Sequence, residues 1–257
     1  MRWAHGREPL VVCTGILDGA TAETVRWCNS IVERRAPLTW LENRYLQRYF
    51  RGRGIEIGAL WRRFPLPRRV QVWYLDRLGG AGLDDHYPEL RGRILQPDLL
   101  GDAIDLPVAP ASLDFLIASH VLEHMPFPLK ALRAWYDALA PGGVLLLKIP
   151  DKRYTFDAKR ARTPLDHLIN ETHDQRAHYA DWVANVGNRS ADSPGFDDAV
   201  DDLMRQNYSI HFHVWIDEDV REIVDFTRKA WRLDWEPVVF WRAHFYRKET
   251  TVLLMRK

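Results

Sequence analysis

The chain has 257 residues, 46% of them apolar, and a formal net charge of +1. That length suits one large domain, or one domain with a sizeable insertion, and the apolar share is ample for a packed core. The near-neutral balance gives no global argument for a nucleic-acid binder or an acidic tail.

Cys13 and Cys28 are the two cysteines. They lack the paired spacing of a disulfide framework or a zinc ribbon, which fits a reducing, cytoplasmic setting. The N-terminus lacks the basic-then-apolar pattern of a signal peptide, and no apolar run nears the roughly 18 residues of a membrane span. Eleven Trp and nine Tyr read mostly as core.

In chain order, "PLVVCT" reads as a short strand and "TAETVRWCNSIVERR" as a helix. Residues 38–50 put Leu38, Leu41, Tyr45 and Tyr49 on one helical face. Residues 1–50 thus form a helical segment, serving as a lid or as the contact of a homodimer. "GIEIGA" ends an apolar strand, and the basic run "WRRFPLPRR" (61–69) reads as a solvated turn. "VQVWYLD" (70–76), "LDFLIAS" (113–119) and "VLLLKIP" (144–150) are further strands. Between the last two, residues 128–143 carry Leu129, Leu132, Tyr136 and Leu139 at helical spacing and stop at Pro-Gly-Gly. Strands alternating with helices predict βαβ units and a doubly wound α/β sheet.

Residues 151–215 break that rhythm. They are polar and rich in His, Asp and Arg, as an inserted lid or substrate lobe would be. Regular order resumes with a helix over 217–230, whose buried face is Val220, Ile223, Val224 and Thr227. "PVVFWRAHFY" and "TTVLLMR" then read as an antiparallel hairpin.

In a doubly wound sheet, ligands sit beyond the carboxyl ends of the strands. Glu56 lies at one such end, two residues before Gly58, and Asp76 ends the next strand. An acid at the second position commonly takes ribose hydroxyls, so an adenosine cofactor is expected. A dinucleotide would bring an anionic pyrophosphate and want a glycine-rich loop. Here Ala59, Leu60 and Trp61 follow Gly58. A cationic sulfonium and ammonium suit the carboxylate better.

Residues 101–151 carry "GDAIDLPV", "SHVLEH" and "LAPGG". The stretch resembles class I S-adenosylmethionine-dependent methyltransferases of the type 11 group. The resemblance implies a Rossmann-like seven-stranded sheet over 51–257, with a C-terminal antiparallel hairpin and 151–215 as a substrate-binding insertion. It also implies S-adenosylmethionine as methyl donor. In the family an acidic–x–Gly–x–Gly–x–Gly turn follows the first strand; only Glu56 and Gly58 match it. Asp76 falls on the ribose acid. Asp102, followed by Ala103, falls on the acid that bonds the adenine amino group. Ser119 joins them as a cofactor-binding candidate at its strand end.

Methyl transfer to an alcohol requires alignment, exclusion of water and a route for the hydroxyl proton. His120, Glu123 and His124 follow the strand 113–119, where the family places residues facing the methyl group. Metal-dependent O-methyltransferases carry Glu-x-x-Glu-His there plus a distant His. By that resemblance, His120, Glu123, His124 and a later His211 or His213 form a candidate metal set, with His213 the expected fourth ligand. The ion would be Mg²⁺ or Mn²⁺, with imidazoles favouring softer ions. His120, His124 and Asp151 are the catalytic candidates. "HVLEH" also matches a zinc-protease pattern, but it follows a buried strand instead of lying in a long helix.

"IPDKRYTFDAKRARTPLDHLINE" (149–171) and "HFHVW" (211–215) resemble a branch of these methyltransferases that acts in polysaccharide synthesis, the methylmannose-polysaccharide enzymes being one example. That resemblance implies a sugar or oligosaccharide acceptor, with Arg153, Tyr154, His167, His211 and Trp215 as substrate-binding residues. Packing of the insertion onto the sheet is the other role open to them. Rival readings are methylation of a natural-product phenol or amine, methylation of an RNA 3′ end, and a non-catalytic binding protein. The acidic run "DSPGFDDAVDDL" (192–203) disfavours a nucleic-acid partner.

Overall fold

The computed structural model describes residues 36–87 and 90–257. The expected strand "PLVVCT", the helix over "TAETVRWCNSIVERR" and both cysteines lie outside the described residues. One seven-stranded sheet has the order β3-β2-β1-β4-β5-β7-β6. Its strands are β1 Arg53–Ile57, β2 Gln71–Asp76, β3 Leu99–Leu100, β4 Leu113–Ser119, β5 Leu139–Pro150, β6 Trp235–Trp241 and β7 Glu249–Arg256. The first five pair in parallel, and β7 lies antiparallel to both β5 and β6. This is the doubly wound α/β sheet with a C-terminal hairpin expected from the alternating pattern.

The central strands are buried on both faces, as continuous apolar runs require. On β4, Leu116 and Ala118 join one core cluster while Phe115 and Ile117 join the opposite one. On β5, Leu145, Leu147 and Ile149 face the first, and Val144 and Leu146 the second. The first cluster includes Leu129, Leu132 and Trp135 of α3 (Pro128–Ala138) and Val220, Ile223 and Val224 of α7 (Asp217–Ala230). The four residues expected on the inner face of α7 are all buried. Its first turn carries Asp217, Glu218 and Asp219 and its last Arg228 and Lys229, in keeping with the helix dipole.

Two expectations need correction. Helix α1 (Ala36–Leu46) leaves Leu41 and Tyr45 exposed, and Leu46 and Phe50 are the buried residues. Among the described side chains, those of its last turn and the following bend reach the sheet, through Leu46 and Phe50. Leu139 likewise belongs to β5 rather than to α3. The strand bulges through Pro141, Gly142 and Gly143, between the parallel pairs Leu113–Leu139 and Phe115–Val144; Gly142 has φ +80°, and a Cβ on Gly143 would lie 2.8 Å from the Ala140 carbonyl oxygen. Only glycine fits that bulge.

Residues 151–215, between β5 and α7, form a helical lobe. It contains α4 (Leu165–Ile169), α5 (Arg176–Asn185) and α6 (Phe196–Arg205). Tyr179, Trp182, Val183, Phe196, Val200 and Leu203 give α5 and α6 a core of their own. The acidic run lies on α6, where Asp197 and Asp201 both pair with Arg176 of α5. Short α2 (Ala81–His86) follows β2. Among the described residues, no helix is long and apolar enough to cross a membrane.

Candidate active site

The sheet register brings the expected cofactor residues to one edge. Ile57 stands opposite both Leu75 and Ala118, and Asp76 opposite Leu100. Gly58, Asp76, Asp102 and Ser119 therefore all lie at the carboxyl ends of adjacent strands. The Gly58 amide donates to the Leu75 carbonyl (2.9 Å) and the Gly101 amide to that of Asp76 (3.1 Å). Asp102 is exposed and accepts from the Ile104 amide at 2.9 Å, which fixes the turn after β3. The Ala103 carbonyl accepts from Trp135 Nε1 at 2.8 Å. Burial pushes the Asp76 carboxyl up, against the pull of the Leu78 and Arg77 amides.

Glu56 is placed differently from the expectation. Both of its oxygens accept from the Phe64 amide, at 2.8 and 3.0 Å. Burial raises its pKa to about 7, outweighing that bond and the charge of Arg63. At neutral pH its negative charge is therefore partial, and the carboxylate organises the 58–64 loop.

That loop also holds the answer to the missing glycine. Gly58 has φ +63°, and Leu60, at the position of the family's second glycine, has φ +46°. The left-handed backbone is kept without the residue that adopts it freely, at a strain of about 1–2 kcal/mol. Leu60→Gly should therefore keep the loop path and leave stability within about 1 kcal/mol of the parent, relief of strain offsetting lost chain entropy. Chemical denaturation measures this; a loss well beyond that range would mean that the Leu60 side chain matters more than its backbone.

His120 begins the segment after β4 with φ +56°. Its side chain is 47% exposed, and Nε2 donates to Glu249 Oε2 at 2.8 Å. Nδ1 is 3.6 Å from Glu123 Oε1. Glu249 also accepts from Lys148 Nζ at 3.0 Å. Burial pulls the His120 pKa down, but the Glu249 bond and the charges of Glu249 and Glu123 outweigh it, so the net direction is up. A non-glycine residue held in left-handed backbone at a strand end is the kind of strain that marks functional positions.

Behind His120, the carboxyl of Glu123 is 1% exposed, and neither oxygen has a hydrogen-bond partner. The carboxyl is pushed up by burial, opposed by His120 and His211. Ligand atoms of Glu123, His124 and His211 all lie within 4.8 Å of one another. His124 Nδ1 donates to the Ile210 carbonyl (2.9 Å), and His211 Nδ1 to Asp157 (2.7 Å). Those bonds turn each Nε2 away from its anchor. His211, and not the expected His213, is thus the later histidine that lies beside Glu123 and His124. His213 lies with His167, Glu171 and His178.

The structure also corrects other expected roles. Asp151 is buried, and its carboxylate is taken up by the backbone amide and guanidinium of Arg153, which also reaches Asp217. It anchors the chain after β5 and has no free face for catalysis. Trp215 is fully buried and stacks on His213 at 5.6 Å, so it offers no face to a sugar. His211 is buried against Asp157 and beneath Phe156. Tyr154 is half-buried beside the partly exposed Arg153, and His167 is exposed at the lobe edge. Sequence reasoning missed Glu249 and Glu171, and took Asp157 only as part of the 149–171 resemblance. The first lies on the closing hairpin, and no local pattern links it to His120.

The lobe reaches across the cofactor edge. Arg77, next to Asp76, donates to the Asn207 carbonyl at 3.0 Å, and the Ser209 amide donates to His86 Nε2 at 3.3 Å. The 207–209 strap thus rests on the chain after β2.

A family model described as a methyltransferase domain matches residues 21–190, more than half of the chain. The chain belongs to this methyltransferase family. A search of curated proteins finds no match. Among solved structures, an S-adenosylmethionine-dependent methyltransferase from Thermotoga maritima is similar, with 17% identity, a TM-score of 0.45 and coverage of 89% of this chain and 99% of that one. One from Aquifex aeolicus shows 11% identity and a TM-score of 0.45, covering 89% and 97%. One from Methanosarcina mazei shows 13% identity and a TM-score of 0.43, covering 82% and 94%.

The enzyme is thus an S-adenosylmethionine-dependent methyltransferase. Its residues fit the donor's adenosine half, with an acid ending β2 and an exposed acid in the turn after β3.

Proposed function

We propose that this methyltransferase methylates a hydroxyl of a sugar or oligosaccharide, with His120 as the group that takes the hydroxyl proton. The observation that carries the reading is the partly exposed His120, held between Glu249 and Glu123 at the carboxyl end of β4. The donor supplies a methyl group already activated by its sulfonium. The protein's task is then to align the acceptor oxygen, keep water out and receive one proton. Lobe 151–215 is the acceptor-binding part, and its partly exposed Arg153, Tyr154 and His167 are the side chains available to a sugar. The resemblance of residues 149–171 and 211–215 to polysaccharide-modifying methyltransferases supports that acceptor class.

Glu123, His124 and His211 fit a divalent ion. A buried carboxylate without a hydrogen-bond partner and two imidazoles anchored through Nδ1 make a donor set with its supporting bonds in place. Such an ion, Mn²⁺ or Mg²⁺, would polarise the acceptor hydroxyl.

The deciding experiment is an acceptor screen with labelled donor, run with and without chelator. Incorporation into mannosides or other glycans is expected, lost with chelator and restored by Mn²⁺. Incorporation only into phenols, amines or RNA would overturn the sugar reading. Full activity in chelator would overturn the metal assistance alone.

A further inference from the structure

A second constellation lies inside the lobe, apart from His120 and Glu123. His167 comes from α4, Glu171 from the turn after it, His178 from α5, and His213 from the stretch that returns to the sheet. One ligand atom from each lies within 4.8 Å of the others. His167 Nε2 is 2.7 Å from Glu171 Oε2, and His178 Nε2 is 3.2 Å from Glu171 Oε1. His213 Nε2 is 3.7 Å from Glu171 Oε2, and the His167 and His178 Nε2 atoms are 3.3 Å apart. Bonds of about 2.0–2.2 Å to a tetrahedral zinc ion place ligand atoms about 3.3–3.6 Å from one another. The four separations bracket that edge length.

The hydrogen-bond pattern points the same way. His178 Nδ1 donates to the Phe212 carbonyl at 2.9 Å. That bond turns Nε2 toward the Glu171 carboxylate, which it meets at 3.2 Å. The Glu171 side chain is 5% exposed, and its Oε2 has no hydrogen-bond partner even though His167 Nε2 lies 2.7 Å away. That approach is not aligned as a hydrogen bond. His213 is fully buried, its Nδ1 has no hydrogen-bond partner, and its Nε2 reaches the Pro126 carbonyl only at 3.4 Å, a bond that an ion would replace. A buried carboxylate oxygen without a hydrogen-bond partner, with three imidazoles around it, offers a cation a ready donor set.

We propose that His167, Glu171, His178 and His213 bind one divalent transition ion of the zinc class as a structural clamp. Three imidazoles and one carboxylate in a closed four-ligand set match zinc better than Mg²⁺ or Ca²⁺, which take mainly oxygen ligands. The clamp joins three segments of the lobe to the returning chain. His213 is two residues from His211, so the ion fixes the path on which His211 meets Glu123 and His124. The inference does not depend on the acceptor or on metal assistance at that other set.

The test is metal analysis of the purified full chain after titration with Zn²⁺, with Co²⁺ as an optical probe. In Glu123→Ala protein, which lacks the other candidate set, one equivalent of Zn²⁺ should remain after dialysis, and Co²⁺ should give the intense visible spectrum of a tetrahedral site. Zn²⁺ at 100 times its dissociation constant should raise the melting temperature by roughly 5–10 °C. Added to that variant, His178→Ala should lose that equivalent and the spectrum. His167→Ala, on the exposed edge of the lobe, reads the same loss should the buried substitution fail to fold. Wild-type protein that takes up no Zn²⁺ would overturn the proposal and leave a proton as the bridging cation. Retention of the equivalent when His167→Ala is added to Glu123→Ala, or its loss in Glu123→Ala alone, would also overturn it.

Discussion

Replacing His120 with Ala should lower methyl transfer by roughly 10²–10⁴-fold, the range of a lost general base, while donor binding by calorimetry stays intact. The proton-accepting form is neutral imidazole. Because the folded pKa lies above the usual value, that form appears as pH rises through a midpoint above about 6.5. Wild-type activity should therefore climb across that window. The stability contribution has the opposite sense: protonated His120 stabilises the fold fully below the unfolded pKa, and this is lost as pH rises through the folded pKa. Glu249→Gln removes the neighbouring anion and should move the activity midpoint downward. A His120→Ala enzyme with unchanged rate would remove the residue from the mechanism. An unmoved midpoint in Glu249→Gln would assign the titration to another group.

The second large effect is on stability. Arg160 is 2% exposed and holds three acceptors: Asp157 Oδ1 at 2.9 Å, Asp181 Oδ2 at 2.6 Å and the His211 carbonyl at 2.8 Å. Arg160→Met fills similar volume but leaves a buried carboxylate with one cationic partner fewer. The expected loss is about 3–5 kcal/mol, a fall in melting temperature of order 10 °C. The variant should also be more acid-sensitive. Burial pushes Asp157 up, but His211 and Arg160 outweigh it and hold its pKa down. Stability from that charge is present above the unfolded pKa and lost as pH falls through the folded one. Without Arg160 the loss begins at higher pH. A melting temperature within 2–3 °C of the parent, about the effect of 1 kcal/mol, would show that His211 alone supports Asp157.

Strands β4 and β5 were legible because they are apolar on both faces, and the ends of β1 and β5 because Gly58 and Pro150 mark them. Helix α7 was legible for a different reason: Val220, Ile223, Val224 and Thr227 repeat at the spacing of one helical face. The lobe was harder to read. Phe196, Val200 and Leu203 of α6 keep helical spacing, but they lie among Asp197, Asp198, Asp201 and Asp202, and the acidic residues mask the pattern. The site was half legible. Asp76 and Asp102 occupy strand-end positions that a motif can report. Glu249, 129 positions from His120, enters only through sheet pairing. Which of two histidines two residues apart joins Glu123 depends on how 211–215 lies against the sheet. His211 and His213 share a parity in the chain, so no alternation rule separates them.

The 207–209 strap has a kinetic consequence. Its hydrogen bonds to Arg77 and His86 lie beside the acid expected to hold the donor's ribose. Exchange of spent donor for fresh is expected to need those two bonds open, whereas the transfer step is not. Turnover would be paced by departure of the demethylated product, and a burst of one methylation per enzyme would precede the steady state.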